Sequence, residues 1–173
     1  EIYTRADSKF SGRVTVPILW DKHQNTIVSN ESSEIIRMFN SAFNDVTGNT
    51  DDLWPAHLHA EIEPVNDRIY NTLNNGVYRC GFATTQAAYD EAVHPLFDTL
   101  GWLEERLSSN RYLMGDTITE ADWRLFTTLV RFDAVYHLHF KCNKKRIVDH
   151  PNLWAYTREL YQWHDVEATV NMN

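Results

Sequence analysis

The sequence predicts an α+β chain that is mostly α-helical, with a β-hairpin and a helix at its start and helices thereafter. Near the start, β-branched and apolar residues alternate before a polar turn, which is typical of paired strands. From about residue 54 onward, apolar residues recur every three or four positions, the spacing of amphipathic helices. The polar stretch Thr47–Asp52 lies between these patterns and indicates a boundary. We therefore expect a first domain at residues 1–46 and an all-α domain at 47–173.

The first strand is predicted within Arg13–Trp20, where Val14, Val16 and Ile18 alternate with other residues. Pro17 lies in the middle of this stretch and has no N–H group to donate to a neighbouring strand. The position therefore suits a sheet edge, and a cis Val16–Pro17 bond is one option there. On this interpretation, the backbone groups of Val16 are available to pair with an extended ligand.

A polar turn at Lys22–Asn25 and a second strand at Thr26–Val28 complete the predicted hairpin. A helix is expected directly afterwards, with Ser29 or Asn30 as its N-cap. Its apolar face is predicted from residues at helical spacing, namely Ile35, Ile36, Phe39 and Phe43.

Glu31 and Ser32 fall in the first turn of that helix. Unpaired backbone N–H groups and the positive end of the helix dipole attract a carboxylate there, while an acidic side chain can hold an ammonium group. Together with an edge strand, these groups suit a small peptide-like zwitterion. Ordinary helix capping explains the same residues equally well.

Four later helix starts are predicted from capping residues and prolines, at Trp54–Pro55, at Thr84 or Thr85, at Thr119–Asp122 and at Pro151. The first of these helices should end near Asn74–Gly76, a C-cap pattern. Pro64 and Pro95 interrupt the apolar patterns, so a kink or break is expected at each. The Thr119–Asp122 stretch resembles a capping box, and replacing Asp122 with alanine should cost about 0.5–2 kcal/mol.

Composition narrows the possible functions. The 173 residues are 43% hydrophobic and carry a formal net charge of −8, which favours a globular protein and disfavours nucleic acid as a partner. No apolar run approaches the roughly 20 residues that cross a bilayer, and no signal peptide is recognisable, so we expect a cytoplasmic protein without a membrane partner. Cys80 and Cys142 are expected to be free, structural thiols.

The histidines do not predict a metal site. His57 and His59, like His137 and His139, are two residues apart, so on a helix they do not face one another. Tyrosines are more informative: Tyr78 is expected in a loop between helices where its phenol can reach a cleft, and Tyr136 late in a long helix. Each is also explained as an ordinary core aromatic.

Three stretches resemble the glutathionyl-hydroquinone reductases, the xi class of the glutathione transferases, which are omega-like: Ser11–Pro17, Asn30–Asn40 and Leu73–Ala83. The resemblance extends over nearly the whole chain. It implies that residues 1–46 are the closing part of a thioredoxin-like, glutathione-binding domain and that residues 47–173 are an all-α transferase domain. It also implies a homodimer and glutathione as co-substrate, with no metal.

The resemblance assigns a role to each matching residue. It places the glutathione-binding residues at Arg13, Val14, Thr15, Val16, Glu31 and Ser32. Tyr78 matches the tyrosine that donates a proton to the leaving hydroquinone, and Tyr136 matches one that lowers the pKa of the catalytic thiol. The family's nucleophilic cysteine lies in a Cys-Pro motif, which neither Cys80 nor Cys142 matches. This chain alone is therefore expected not to turn over substrate.

In the implied reaction, a cysteine thiolate attacks the sulfur of a glutathionyl-hydroquinone, hydroquinone leaves, and a second glutathione releases glutathione disulfide. One alternative is an omega-like glutathione transferase with thioltransferase or dehydroascorbate reductase activity. Another is a non-catalytic, transferase-like interaction module.

Overall fold

The computed structural model describes residues 1–171, which form two compact units. The first unit is Glu1–Trp54, and the second, larger unit begins at Pro55. Residues 172 and 173, the last two of the predicted all-α domain, lie outside the described part. The predicted functional limits, 1–46 and 47–173, stay predictions, because compactness alone does not show which residues act together.

The first unit contains a short antiparallel hairpin and three helices. Its strands are β1 (Leu19–Asp21) and β2 (Thr26–Ser29), and its helices are α1 (Ile2–Ala6), α2 (Ser32–Ser41) and α3 (Asn44–Thr47). Trp20 pairs with Ile27, and Asp21 pairs with Thr26. The predicted hairpin, polar turn and following helix are therefore confirmed.

The first strand is shorter than predicted. It begins at Leu19, and residues 13–18 form no ladder with another strand. The Val16–Pro17 bond is cis, as considered above. Helix α1 was not predicted, and its Tyr3 explains part of the difference. The Tyr3 hydroxyl hydrogen-bonds to both the carbonyl and the N–H of Thr15, so a side chain satisfies groups that a partner strand would otherwise satisfy.

The predicted N-cap of α2, Ser29 or Asn30, is wrong by one or two residues. The cap is Glu31, because β2 continues through Ser29 and the chain turns only afterwards. Ser29 still supports the helix start. Its Oγ accepts a hydrogen bond from the N–H of Glu31 and donates one to the carboxylate of Glu34, at 3.1 and 2.8 Å.

The second unit is helical. Its α-helices are α4 (His59–Ile69), α5 (Gly76–Phe82), α6 (Gln86–Arg106), α7 (Glu120–Arg131), α8 (His137–His139), α9 (Pro151–Tyr161) and α10 (Val166–Thr169). Two 3-10 turns lie at Ala56–Leu58 and Ile147–Asp149, and two π-helical turns at Tyr70–Asn74 and Phe132–Tyr136. Hydrophobic side chains from most of these segments are fully buried, among them Ile62, Leu73, Leu100, Leu125, Phe132 and Leu153.

The predicted caps of α6 and α7 are confirmed. Thr85 caps α6 by accepting a hydrogen bond from the N–H of Ala88, and Thr119 and Asp122 form the capping box of α7. Neither Pro64 nor Pro95 ends its helix, because α4 and α6 continue through them.

The predicted helix end near Asn74–Gly76 is confirmed in position, but the predicted glycine C-cap is wrong. A π-helical turn extends α4 to Asn74, and Gly76 begins α5 instead of ending a helix. Gly76 is buried, and a Cβ there would lie 3.6 Å from the side chain of Leu96 on α6. Gly76 therefore packs against α6, at a distance where a Cβ would still be in ordinary van der Waals contact. As a consequence Tyr78 lies within α5, and the predicted loop position was wrong.

Candidate functional site

In the first unit, hydrogen bonds with the side chain of Tyr3 hold the segment before Pro17 in place. The Tyr3 hydroxyl donates to the carbonyl oxygen of Thr15 at 2.9 Å and accepts from its N–H at 3.3 Å. Tyr3 is itself buried, and its ring packs on that of Phe10 with centroids 4.8 Å apart. The backbone at Thr15 therefore has a defined position although it belongs to no strand.

The same segment contacts the start of α2. The side-chain amide of Asn30 donates to Oγ1 of Thr15 at 3.0 Å, and Asn30 directly precedes Glu31 and Ser32. This hydrogen bond places the predicted backbone-pairing segment beside the predicted carboxylate-binding helix end. The six predicted glutathione-binding residues thus lie on two neighbouring stretches of one unit.

These residues are accessible. Val14 and Val16 expose 63% and 87% of their surface, far more than core valines do. Arg13, Glu31 and Ser32 are exposed as well. Exposed apolar side chains can contact the body of a peptide, and the unpaired helix N–H groups beside them can bind its carboxylate. This face therefore has the chemical character of a peptide-binding surface.

In the second unit, the two predicted tyrosines meet although 58 positions separate them. The hydroxyl oxygens of Tyr78 and Tyr136 are 2.9 Å apart and hydrogen-bonded. Tyr136 is buried, whereas Tyr78 is 42% exposed. Burial, together with the hydrogen bond to Tyr78, raises the pKa of Tyr136 well above its ordinary value. Tyr136 therefore holds its proton, while Tyr78 faces solvent.

Phe140 supports both rings of this pair. Its ring centroid lies 5.3 Å from that of Tyr78 and 5.3 Å from that of Tyr136, in edge-to-face contacts. Edge-to-face packing of this kind holds each ring in one orientation. Phe140 approaches α5 where the helix has no side chain, since a Cβ on Gly81 would collide with its Cδ1 atom.

An open cleft of about 450 Å³ lies on the exposed side of Tyr78. Its lining residues come from the π-helical turn, from α5 and from the residue between them, and they are Asn71, Asn75, Tyr78, Arg79 and Phe82. Two aromatic rings, two amides and one guanidinium therefore surround a space that can hold a substituted aromatic ring.

The two cysteines lie behind the tyrosine pair and are free thiols, as predicted. Cys80 on α5 and Cys142 after α8 are fully buried, and the Sγ of Cys142 donates to the carbonyl oxygens of Phe140 at 3.5 Å and Val77 at 4.0 Å. Interaction between the neighbouring thiols lowers the pKa of Cys80 and, with burial, raises the pKa of Cys142. Thiols with no exposed surface are poor nucleophiles toward bulky substrates. We therefore keep the prediction that Cys80 and Cys142 are structural thiols.

Three supporting residues were missed by the sequence reasoning. Tyr3 and Phe140 belong to short segments without a regular pattern, and the contacts that matter for the site, Tyr3 with Thr15 and Phe140 with Tyr78, join residues that are distant in the sequence. Asn30 was considered only as a helix cap. Its position next to Glu31 was the signal that could have indicated a role in the site. Its hydrogen bond to Thr15, however, depends on the fold.

Across residues 1–171, no three or more His, Cys, Asp or Glu side chains are grouped so as to hold a metal ion. Within the same residues, the helices are all too short or too polar to span a bilayer.

Sequence comparison identifies relatives along the whole chain. A family model described as the C-terminal domain of glutathione S-transferase matches residues 86–159. The glutathionyl-hydroquinone reductase PcpF of Sphingobium chlorophenolicum is 58% identical over 99% of this chain and 55% of its own length. The glutathionyl-hydroquinone reductase YqjG of Escherichia coli K12 is 54% identical over the full chain and 53% of its length. The chain thus spans about half the length of these relatives.

Solved structures agree with the sequence comparison. The glutathione-bound structure of YqjG from Escherichia coli K-12 is 55% identical and superposes with a TM-score of 0.96, over 98% of this chain and 55% of that one. A xi-class transferase from Natrialba magadii, 51% identical, superposes with a TM-score of 0.95 over 99% of this chain and 52% of that one. In sequence identity and in fold together, this chain is therefore similar over nearly its whole length to xi-class glutathione transferases and to glutathionyl-hydroquinone reductases.

Proposed function

We propose that the protein containing this chain is a glutathionyl-hydroquinone reductase that uses glutathione as co-substrate. The observation that carries the proposal is the hydrogen-bonded pair of Tyr78 and Tyr136, with one phenol exposed to a cleft and the other buried behind it. The names of the two reductase relatives support the choice of substrate.

Glutathione is proposed to bind on the first unit, at Arg13, Val14, Thr15, Val16, Glu31 and Ser32. The exposed backbone of Val16 would pair with the peptide part of glutathione. The first N–H groups of α2 and the Ser32 hydroxyl would hold its γ-glutamyl carboxylate, and Glu31 its ammonium group. The hydrogen bond from Asn30 to Thr15 supports this arrangement, because it keeps the two stretches side by side.

The proposed reaction transfers the glutathionyl group from carbon to sulfur. A cysteine thiolate, which family resemblance places in a Cys-Pro motif, attacks the glutathione sulfur and breaks its bond to the aromatic ring. The ring carbon takes a proton from the Tyr78 hydroxyl as hydroquinone leaves. Glutathione then reduces the mixed disulfide, giving glutathione disulfide and the free thiolate.

Tyr136 is proposed to assist this proton transfer. When Tyr78 gives up its proton, the resulting phenolate needs a hydrogen-bond donor, and the Tyr136 hydroxyl lies 2.9 Å away. The raised pKa of Tyr136 keeps it protonated for this purpose. The role that the family resemblance gives to Tyr136, lowering the pKa of the thiol, stays a prediction.

The test compares wild type with Tyr78→Phe in the full-length protein. With a glutathionyl-hydroquinone, kcat for hydroquinone release should fall about 100-fold, because the general acid is lost. With a mixed disulfide of glutathione as substrate, kcat should change little. The leaving group is then a thiolate, which can leave without being protonated. Tyr70→Phe is the matched control, because Tyr70 is exposed on the neighbouring turn and does not line the cleft.

The alternatives give different results. An omega-like thioltransferase would prefer the mixed disulfide in the wild type, and the omega-like transferases among the relatives make this the second candidate. An interaction module would turn over neither substrate. Wild-type protein that releases no hydroquinone would contradict the proposal.

A homodimer, which the family resemblance implies, and a cytoplasmic location both stay proposals. Sedimentation of the full-length protein would test the first of these, and cell fractionation would test the second.

A further inference from the structure

The cleft beside Tyr78 contains a single charged lining residue, Arg79. The other lining side chains are aromatic rings and amides, so no acidic group shares the cleft with this guanidinium. Phe82, at the same side, exposes 74% of its surface and packs edge-to-face on Phe140. The cleft therefore combines apolar ring surface with one positive charge.

The Arg79 side chain has no partner among residues 1–171. Its backbone N–H bonds to Asn75, but its guanidinium forms no hydrogen bond, ion pair or ring stacking with that part of the chain. Other arginines of the second unit do have acidic partners: Arg111 with Glu159 at 2.8 Å, and Arg146 with Asp149 at 3.1 Å. Arg79 is thus available to an anion from outside.

The chain as a whole repels anions, since its formal net charge is −8. A negative substituent therefore needs a local cation to be accepted. Arginine suits this purpose, because its planar group can donate two parallel hydrogen bonds to a carboxylate. Asn75 lines the same cleft and its side chain is not engaged elsewhere in the described residues, so it can add a polar contact.

We propose that Arg79 makes the protein prefer hydroquinones that carry an anionic ring substituent, such as a carboxylate. The inference rests on the proposed function, because it requires the hydroquinone ring to lie against the Tyr78 hydroxyl. Tyr78 and Arg79 both line this cleft, so a ring bound against Tyr78 would have its substituents within reach of the cleft's positive group.

The experiment uses the full-length protein and two glutathionyl-hydroquinones that differ only in a ring carboxylate or the corresponding carboxamide. For wild type, kcat/KM should favour the carboxylate about fivefold, the size expected for a partly exposed ion pair. In Arg79→Gln the ratio should fall to about one, and in Arg79→Lys part of the preference should remain. Raising the salt concentration should reduce the wild-type ratio.

Arg158→Gln is the matched control. It removes the same charge from an exposed position on α9 that does not line the cleft, and the ratio should stay at its wild-type value. Both substrates carry the same glutathionyl group. If Arg79 instead binds a glutathione carboxylate, Arg79→Gln would slow both substrates equally and the inference would be overturned.

The two proposals fail in different ways. If wild type turns over both substrates at equal rates, or if Arg79→Gln keeps the preference, the anionic specificity is wrong and the proposed function stands. If wild type turns over neither substrate, the proposed function is wrong and the specificity is wrong with it.

Discussion

Replacing Asp122 with alanine should lower the free energy of unfolding by about 2.5–8 kcal/mol, more than the loss of an ordinary helix cap. Asp122 is fully buried at the start of α7. Its carboxylate accepts hydrogen bonds from the N–H and hydroxyl of Thr119, at 2.8 and 3.1 Å. It also accepts from the N–H of Leu113 and the hydroxyl of Tyr156, each at 2.9 Å.

The magnitude follows from which donors lose their partner. The bonds to Thr119 form the helix cap, and losing a cap costs about 0.5–2 kcal/mol. The donors on Leu113 and Tyr156 come from other segments and are buried, and each unsatisfied buried donor costs about 1–3 kcal/mol. These two tertiary contacts therefore raise the expected loss above the estimate from the capping box alone.

Urea unfolding followed by circular dichroism would measure this loss. Thr85→Ala is the comparison, because it removes one exposed capping bond and should cost about 1 kcal/mol. A second variant isolates the tertiary part. Adding Tyr156→Phe to Asp122→Ala removes the stranded hydroxyl, so the double variant should be at least as stable as Asp122→Ala. If Asp122→Ala costs no more than Thr85→Ala, the reasoning about buried donors is refuted.

The pH dependence gives a second check on Asp122. Burial raises the pKa of this carboxyl above its ordinary value, although its hydrogen bonds act in the opposite direction. Between the unfolded and the folded pKa, the folded chain therefore keeps a proton that the unfolded chain releases. The contribution of Asp122 to stability should be complete below the unfolded pKa and decline as the pH rises through the folded one. Asp122→Ala should lack this component.

Two further predictions concern the tyrosine site. Gly81→Ala should destabilise the chain by about 1–3 kcal/mol and lower kcat, because the new Cβ would collide with Phe140. Gly101→Ala is the control: a Cβ at Gly101 meets no atom within 4 Å, so thermal melts should show no loss of stability. Cys80 and Cys142 should resist alkylation in the native chain at neutral pH and react only after unfolding, as peptide mass spectrometry would show; rapid labelling of either thiol would contradict their burial.

Local sequence patterns were sufficient to predict a structural element wherever the contacts that form it join residues a few positions apart. The hairpin turn at Lys22–Asn25 and the capping box at Thr119–Asp122 were predicted because their hydrogen bonds join neighbours in the chain. The spacing of apolar residues also predicted the helical second unit. By contrast, Gly76 was misassigned, since a glycine beside asparagines indicates a helix end unless a neighbouring helix packs against it.

The candidate site depends on contacts that no local pattern contains. Motif resemblance named Tyr78 and Tyr136, but only the fold brings their hydroxyls to 2.9 Å across 58 positions and buries one of them. Likewise, the sequence by itself determined that Glu31 opens a helix within two residues, and the tertiary structure decided that Asn30 reaches Thr15. The physical reason is that helix and turn formation depend on nearby backbone groups, whereas proximity and burial depend on how distant segments pack.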